Sequence, residues 1–377
     1  MDLINLIWTN GLSFVFILSV IVFGHELGHY VVARWNGVRV EVFSIGFGPE
    51  LFGWDSANGT RWKVSLLPLG GYVKMFGDAD ASSKPGEDVP EMSPEDRAVS
   101  FHHKRLGQRT AIILGGPLAN FVLAIVILAF MFATVGQRIT PADISIVQPD
   151  SPAETAGMMP GDRIIGIDGQ AIDRFEALQM IVRASAGEPL NFTVLRDGAE
   201  IELVIVPRMV EVTDRFGNVR EFGQIGIGRE GVEFVRLDPL VAIWAAVEET
   251  WFLSAATLEA LGQIIAGTRG SDELGGPILI AQVSGQVAED GLIAVFWFMA
   301  LLSINLGLIN LFPIPMLDGG HLLFYVFEAI RGRPLSERAQ EYGFRIGLAM
   351  VLTLMIFVTW KDLDRLQVVD FFINLFS

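Results

Sequence analysis

His25, Glu26 and His29 form an H-E-x-x-H sequence, a spacing suited to metal-assisted hydrolysis. On a helix, positions i and i+4 share a face, so two imidazoles can hold one zinc ion. Glu26, one residue along, stands close enough to act as general base on a water at that ion. The motif lies inside an apolar run. No charged residue occurs from Leu3 to Gly24, and Tyr30 to Ala33 are again mostly apolar. A charged side chain at mid-membrane costs roughly 2.5–3.5 kcal/mol on insertion scales, so polar groups there are functional candidates by default. The bland alternative is polar packing between helices.

A catalytic zinc takes a third protein ligand and keeps one position open for water. The chain has no cysteine, which excludes thiolate ligands, thiol nucleophiles and disulfides. The other histidines are His102, His103 and His321. Asp318 is the outstanding candidate, an acid at the broken end of an apolar segment. His321 is the alternative, because i and i+3 also face one way. The stretch from Asn310 to His321 carries two prolines and two glycines. These are expected to break the helix at membrane depth, which is tolerated only where the backbone lines a protected or wet cavity. Asn120 interrupts another apolar run, and its plainest reading is a hydrogen bond between helices.

The elements that must position these groups follow from composition. Of 377 residues, 51% are hydrophobic and 19% charged, and the mean hydropathy is +0.46. The expected fold class is an α-helical polytopic membrane protein carrying a soluble insert. Four transmembrane helices are expected, at 1–36 with the H-E-x-x-H, 111–136, 291–330 with the Leu317-Asp318-Gly319 motif, and 342–361. The N-terminus lacks the basic segment and cleavage site of a signal peptide, so the first span should be retained. Between the first two spans, 37–78 alternates apolar and polar residues around Gly46-Phe47-Gly48-Pro49, Asn58-Gly59 and Gly70-Gly71. It reads as β-hairpins, either dipping to the membrane surface or forming a small soluble meander. Residues 79–110 form a cytoplasmic loop, acidic and rich in Pro and Ser in its first part. Residues 137–236 form a soluble α+β domain. Residues 237–290 read as an amphipathic helix and a loop, because a span there would bury Glu248, Glu249 and Glu259. A cytoplasmic loop at 331–341 and a C-terminal tail at 362–377 complete the chain.

Lys and Arg near the span ends set the orientation. Arg34, Arg39, Lys104, Arg105 and Arg109 lie between spans one and two, and Arg331, Arg333, Arg338 and Arg345 flank the link from three to four. The N-terminus and the soluble domain are then expected outside the cytoplasm. The net charge of −16 argues against a nucleic-acid partner.

His25 to His29, together with N-x-x-P-x-P-x-L-D-G-G at Asn310 to Gly320, resembles the site-2 protease family of intramembrane zinc metalloproteases. The resemblance extends to Phe43–Pro49, Pro68–Met75 and the G-G-P-x-x-N run at Gly115 to Asn120. Bacterial members that cleave anti-sigma factors have the closest layout, which implies a bacterial inner membrane. They often carry two PDZ units in tandem. Here the S-P-A-x-x-A-G…G-D-x-I-x-x-I-D-G run from Ser151 to Gly169 resembles a single PDZ domain. What the family implies is a zinc ion held by His25, His29 and Asp318, with Glu26 as catalytic base. Asn310 is then expected to hold the substrate backbone, and Asn120 to stand near the site. The expected partners are the lipid bilayer and transmembrane protein substrates, with peptide or ectodomain contact through the PDZ domain. The competing reading is a PDZ-bearing membrane scaffold or chaperone, which does not require the full set of His25, Glu26, His29 and Asp318. A zinc transporter would want more acidic or His sites along its spans.

Overall fold

The computed structural model describes residues 3–78, 92–139, 142–172, 175–213, 219–228, 233–267, 270 and 275–365. Of the loop expected at 79–110, residues 79–91 lie outside these, as do residues 366–377 of the tail; the described part of the loop carries short helices at Pro94–Val99 and Phe101–His103. The chain divides into two compact units. One comprises the residues up to Met131 and from Asp238 onward; the other is the insert Phe132–Leu237.

The first unit begins with α1 (Leu3–Trp35). Gly37, at φ 69°, ends it in a left-handed cap, with Arg34 in the last turn. β1 (Val40–Asp55) and β2 (Arg61–Met75) follow, joined through Asn58-Gly59. Each strand doubles as two. Val42 to Ile45 pair with Arg61 to Val64 on one side and with residues 71–74 on the other, while Glu50 to Asp55 pair with residues 61–65. Of the three glycine clusters read as hairpin turns, Asn58-Gly59 is the turn and the other two are bends inside strands. Positive φ at Gly46, Gly48 and Gly70 makes those bends possible. The sheet packs on the helices through Phe43, Val73 and Met75, clustered with Ala33, Phe101 and Ile112. Its far part exposes Leu51, Phe52, Leu66 and Leu67. Then come α2 (Pro94–Val99), a 3₁₀ turn at Phe101–His103 and α3 (Leu106–Thr134).

The insert has its own apolar core, with Ile144, Ile164, Ile167, Phe192 and Val194 at its centre. Short β3 (Gln137–Ile139) and β4 (Ile146–Val147) lead to α4 (Pro152–Thr155), which Ser151 caps. A four-stranded sheet comes next, built from β5 (Arg163–Ile167), β6 (Gln170–Ala171), β7 (Leu190–Arg196) and β8 (Ala199–Ile205) in the order β6-β5-β7-β8. α5 (Phe175–Ala184) lies between β6 and β7 in sequence. Asp168-Gly169 and Asp197-Gly198 both take positive φ at both positions, the form that closes a two-residue hairpin. β9 (Arg208–Thr213) pairs with β10 (Val219–Gln224), β11 (Ile227–Gly228) with β4, and β12 (Glu233–Val235) with β3.

The chain then forms α6 (Pro239–Ile265), α7 (Pro277–Glu289), α8 (Leu292–Leu311), α9 (Asp318–Arg331) and α10 (Glu337–Arg365). The stretch at 237–290, read as an amphipathic helix followed by a loop with a short helix, is two helices, the second of 13 residues. Moreover, α6 buries Ala242, Ala245, Ala246, Thr250 and Ser254 and exposes Leu240, Trp244 and Trp251. Small side chains face the protein and large apolar ones face out, the reverse of a water-soluble amphipathic helix. Its carboxylates also have partners. Glu248 accepts from Trp244 Nε1 at 2.7 Å, Glu259 accepts from Gln263 at 3.2 Å, and Glu249 is partnered as well. The break expected within 291–330 is present and makes that stretch two helices rather than one span. α8 stops at Leu311 and α9 starts at Asp318. The prolines make the break; Gly319 and Gly320 are helical.

Among the described residues, four helices are long and apolar enough to cross a membrane: Asn10–Trp35, Leu106–Thr134, Leu292–Leu311 and Arg338–Asp364. These match the four spans expected.

Candidate metal centre

α1 turns two faces to two different neighbours. His25, Gly28 and His29 face α3, while Val22 and Glu26 face β2. The α1–α3 contact is close because glycines form it. A Cβ on Gly28 would collide with the carbonyl oxygen of Gly115, and one on Gly115 would come within 2.8 Å of the Gly28 oxygen. A Cβ on Gly116 would strike the His29 ring and stand 2.8 Å from His25 Cε1. The two imidazoles therefore lie on bare backbone, which no side chain larger than hydrogen permits.

α3 also holds the imidazoles from behind. His29 Nδ1 donates to the Ile112 carbonyl at 2.9 Å, and the side chain of Asn120, two turns further on, reaches His25 Nδ1 at 3.1 Å. Ser303 of α8 donates to the Asn120 backbone carbonyl at 2.8 Å, so a third helix steadies the pair. His25, Glu26 and His29 are each 7–8% exposed, and Asn120 is fully buried.

Asp318 arrives from the other end of the chain. Phe312 to Leu317 turn without helix, closed by Ile314 N–H donating to Phe312 O at 2.7 Å and Leu317 N–H donating to Ile314 O at 3.0 Å. Met316 takes φ 96°, a left-handed conformation rare for a non-glycine residue. Asp318 is then the first residue of α9. The next two glycines are contact points. A Cβ on Gly319 would collide with the carbonyls of Leu311 and Phe312, and one on Gly320 would meet the Ile314 carbonyl. α9 can fold back against its own break only with glycine at both places. α10 joins at Gly347, where a Cβ would collide with Pro315.

Three potential ligand atoms converge. His25 Nε2 and His29 Nε2 are 3.2 Å apart, and Asp318 Oδ2 lies 3.3 and 3.5 Å from them. Tetrahedral zinc with ligands at about 2.0–2.1 Å spaces them at about 3.3 Å. Asp318 Oδ2 is buried without a hydrogen-bond partner. With its proton committed at Nδ1, neutral His29 offers only a lone pair at Nε2. Lone pairs and a carboxylate oxygen facing one point call for a cation, and the donor set fits zinc. Among the described residues, this is the group of His, Asp and Glu side chains with metal-binding geometry. His321, the alternative third ligand, is not in it; its ring packs on Phe344 with centroids 5.3 Å apart.

Glu26 stands beside the triangle. Its carboxylate takes no hydrogen bond among the described residues, and its Cγ lies 3.0 Å from where a Cβ on Gly71 of β2 would sit. A base with free oxygens thus lies against a strand. Asn310, one residue before the end of α8, is half-buried and takes no part in this hydrogen-bonded set. Sequence reasoning missed Gly116, Gly71, Ser303 and the Ile112 carbonyl. Gly116 and Gly71 left signals, in the Gly115-Gly116-Pro117 and Gly70-Gly71 runs.

Metal-assisted hydrolysis within the membrane is the class of chemistry this arrangement defines. The sequence profile of peptidase family M50 matches residues 13–354, and the chain belongs to that family. It is a zinc metalloprotease of the site-2 type. A protein of Rhizobium meliloti (strain 1021) named "Putative zinc metalloprotease" is 46% identical over 360 residues, covering 94% of this chain and 96% of its own. Metalloprotease MmpA of Caulobacter vibrioides is 39% identical over 389 residues, covering 97% and 98%. A PDZ domain from an SdrC-like protein of Listeria innocua aligns with 26% of this chain at 21% identity and a TM-score of 0.19, a likeness that carries no argument.

Proposed function

We propose that this protease cleaves transmembrane segments of other membrane proteins in a bacterial inner membrane, after a first protease has removed their outer part. Anti-sigma factors or similar regulators are the substrate class. The observation that carries the reading is the site's position. His25 and His29 lie on α1 and are backed by α3, both of membrane length, Asp318 joins them from the first turn of the short α9, and Glu26 lies directly beside β2.

The residues divide the work as follows. A substrate helix hides its peptide bonds in i→i−4 hydrogen bonds, so a segment must unwind before water can attack. The 71–75 segment of β2 is paired on one side with residues 40–45. Its other edge can take up the released backbone as an added strand beside Glu26. The exposed Leu51, Phe52, Leu66 and Leu67 suit a sheet that dips into lipid. His25, His29 and Asp318 would hold the zinc ion, which when bound supplies Lewis-acid polarisation of the scissile carbonyl and of the attacking water. Glu26 takes the proton from that water on a carboxylate oxygen and passes it to the leaving amine nitrogen. Asn310 is the candidate substrate-binding residue; Asn120, expected beside it in that role, is fully buried with its side chain on His25 instead.

The insert is read as a PDZ domain facing the periplasm, with the N-terminus on the same side. A groove between α5 and residues 222–227, lined by Leu178, Val182, Phe222, Ile225 and Ile227, supports that reading. It suits a peptide or an ectodomain end.

The test is Glu26→Gln, with zinc content and cleavage of a membrane-embedded model substrate measured on one preparation. Zinc should stay, and cleavage should fall by at least about 10³-fold, as general acid–base loss predicts at its upper range. Unchanged cleavage would sink the mechanism.

A further inference from the structure

Asn120 raises a question about proton placement. Its Nδ2 lies 3.1 Å from His25 Nδ1, while its Oδ1 is buried and accepts nothing. With Nδ2 as donor, His25 Nδ1 must be bare and the proton must sit on Nε2. Nε2 is the atom that faces His29 Nε2 and Asp318 Oδ2. A zinc ligand cannot carry a proton on its coordinating atom, so a zinc-holding His25 has its proton on Nδ1 and needs an acceptor there. His29 already has that arrangement, with Nδ1–H donating to the Ile112 carbonyl at 2.9 Å. A half-turn of the Asn120 amide supplies it for His25, exchanging a donor–donor clash for a hydrogen bond and giving the orphaned Oδ1 its partner.

We infer that Asn120 is a positioning residue whose side-chain oxygen accepts the Nδ1–H of His25 and so fixes Nε2 as the zinc-binding atom. The two imidazoles are then held alike, one by a backbone carbonyl and the other by an amide oxygen, both from α3. Ser303 donating to the Asn120 backbone carbonyl fixes the residue from α8. Outer partners of this kind orient a ligand and raise its basicity, and losing one costs about 10–100-fold in metal affinity.

The inference rests on the zinc reading of the site, so zinc in the wild-type protein is measured first. A wild type that binds no zinc overturns that reading; every other outcome bears on Asn120 alone. Asn120→Leu removes donor and acceptor at similar volume, whereas Asn120→Asp keeps only acceptors. Zinc loss to a chelator in detergent should be about 10–100-fold faster in Asn120→Leu and no faster than wild type in Asn120→Asp. In ¹⁵N-histidine spectra of the zinc-loaded protein, His25 should show a protonated, hydrogen-bonded Nδ1 in wild type and Asn120→Asp. That hydrogen bond should vanish in Asn120→Leu. Should Asn120→Leu fail to fold, Asn120→Ala gives the same comparison. Fast zinc loss from both Asn120→Asp and Asn120→Leu would mean the amide serves as donor. Slow loss from both would mean it only packs. Either result overturns the inference.

Discussion

The insert closes Ile144, Ile164, Phe192 and Val194 from solvent to 1% exposure or less, and its two buried polar side chains among the described residues, Ser151 and Asp162, are both bonded. Ser151 accepts from Glu154 N–H, and Asp162 accepts from Arg196 and from Met159 N–H. The membrane unit buries His25, Glu26, His29 and Asn120 instead, and leaves Arg109 Nε, Asn120 Oδ1 and Asp318 Oδ2 without hydrogen-bond partners. Among the described residues, every such orphan lies in that unit. A domain selected to fold satisfies its polar groups, because each unsatisfied one costs about 1–3 kcal/mol. Two of the three orphans belong to the metal centre: a bound cation accounts for Asp318 Oδ2, and the Nδ1–H of His25 accounts for Asn120 Oδ1. The difference separates stability from chemistry along one chain, and mutations should respect it.

Asp318→Asn is the strongest way to test the chemical side. It replaces the orphaned oxygen with a neutral amide and should weaken zinc binding by more than the roughly 100-fold that loss of an outer partner costs. His321→Ala should leave zinc in place, since that ring packs on Phe344 away from the triangle. Zinc content of the two variants after dialysis decides. Loss in His321→Ala with retention in Asp318→Asn would transfer the third ligand to His321.

Phe192→Ala applies the complementary force. A fully buried phenylalanine removed from a packed core costs about 3–5 kcal/mol. Hydrogen exchange should show β5 and β7 opening while zinc content stays at the wild-type level. A parallel loss of zinc would mean that the metal centre draws its stability from the insert, and the contrast between the units would collapse.

What the sequence disclosed follows the same division. His25, Glu26, His29 and Asp318 stood out because polar groups inside apolar runs are costly, and that cost is visible without coordinates. Asp318 was favoured over His321 as an acid at the break, but the turn between Phe312 and Leu317 that brings it to the imidazoles was not visible. Backbone partners left no trace either: the Ile112 carbonyl that orients His29 is present whatever residue stands there. Asp362 is similar. It receives N–H bonds from Gly276, Ile278 and Leu279 at 3.0–3.1 Å, capping α7 from more than eighty residues away. No local pattern announces that pairing. In the insert, the Asp168-Gly169 and Asp197-Gly198 turns rest on local chemistry, which a sequence carries. In α6, Glu248 and Glu259 argued against a span, yet each has a partner four residues away on its own helix, Trp244 and Gln263.

Two glycines bring the comparison to the scale of one methyl group. Gly116→Ala forces a Cβ into the His29 ring, whereas Gly166→Ala in β5 meets nothing nearer than 3.4 Å. The first should weaken zinc binding about 10–100-fold by displacing a ligand, with helix content unchanged. The second should move insert stability by less than about 1 kcal/mol, the usual scale of a glycine effect in a strand. Chelator competition and hydrogen exchange on the two variants read both numbers. Equal, small effects would mean that the imidazoles shift freely on α3, and the glycine floor beneath them would lose its assigned role.

The smallest effect belongs to the insert's buried acid. Asp162 is 1% exposed, and two bonds from Arg196, at 2.6 and 2.7 Å, pull its carboxyl below the ordinary value of 3.8. Burial opposes that shift, and the Met159 N–H reinforces it. A carboxyl depressed in the folded state contributes stability that is fully present above its unfolded value and is lost as pH falls through the folded one. The window therefore opens below about pH 4. Arg196→Ala should destabilise the insert at neutral pH, and the gap from wild type should narrow as acid protonates Asp162 in both proteins. Part of the gap should survive, because Arg196 also donates to the Gly157 carbonyl at 2.8 Å, a bond that does not titrate in this range. Hydrogen exchange in β5 and β7 on both sides of the window measures the gap. A gap equal at both pH values would leave the Gly157 contact as the whole contribution of Arg196 and Asp162 as a neutral passenger in its own ion pair.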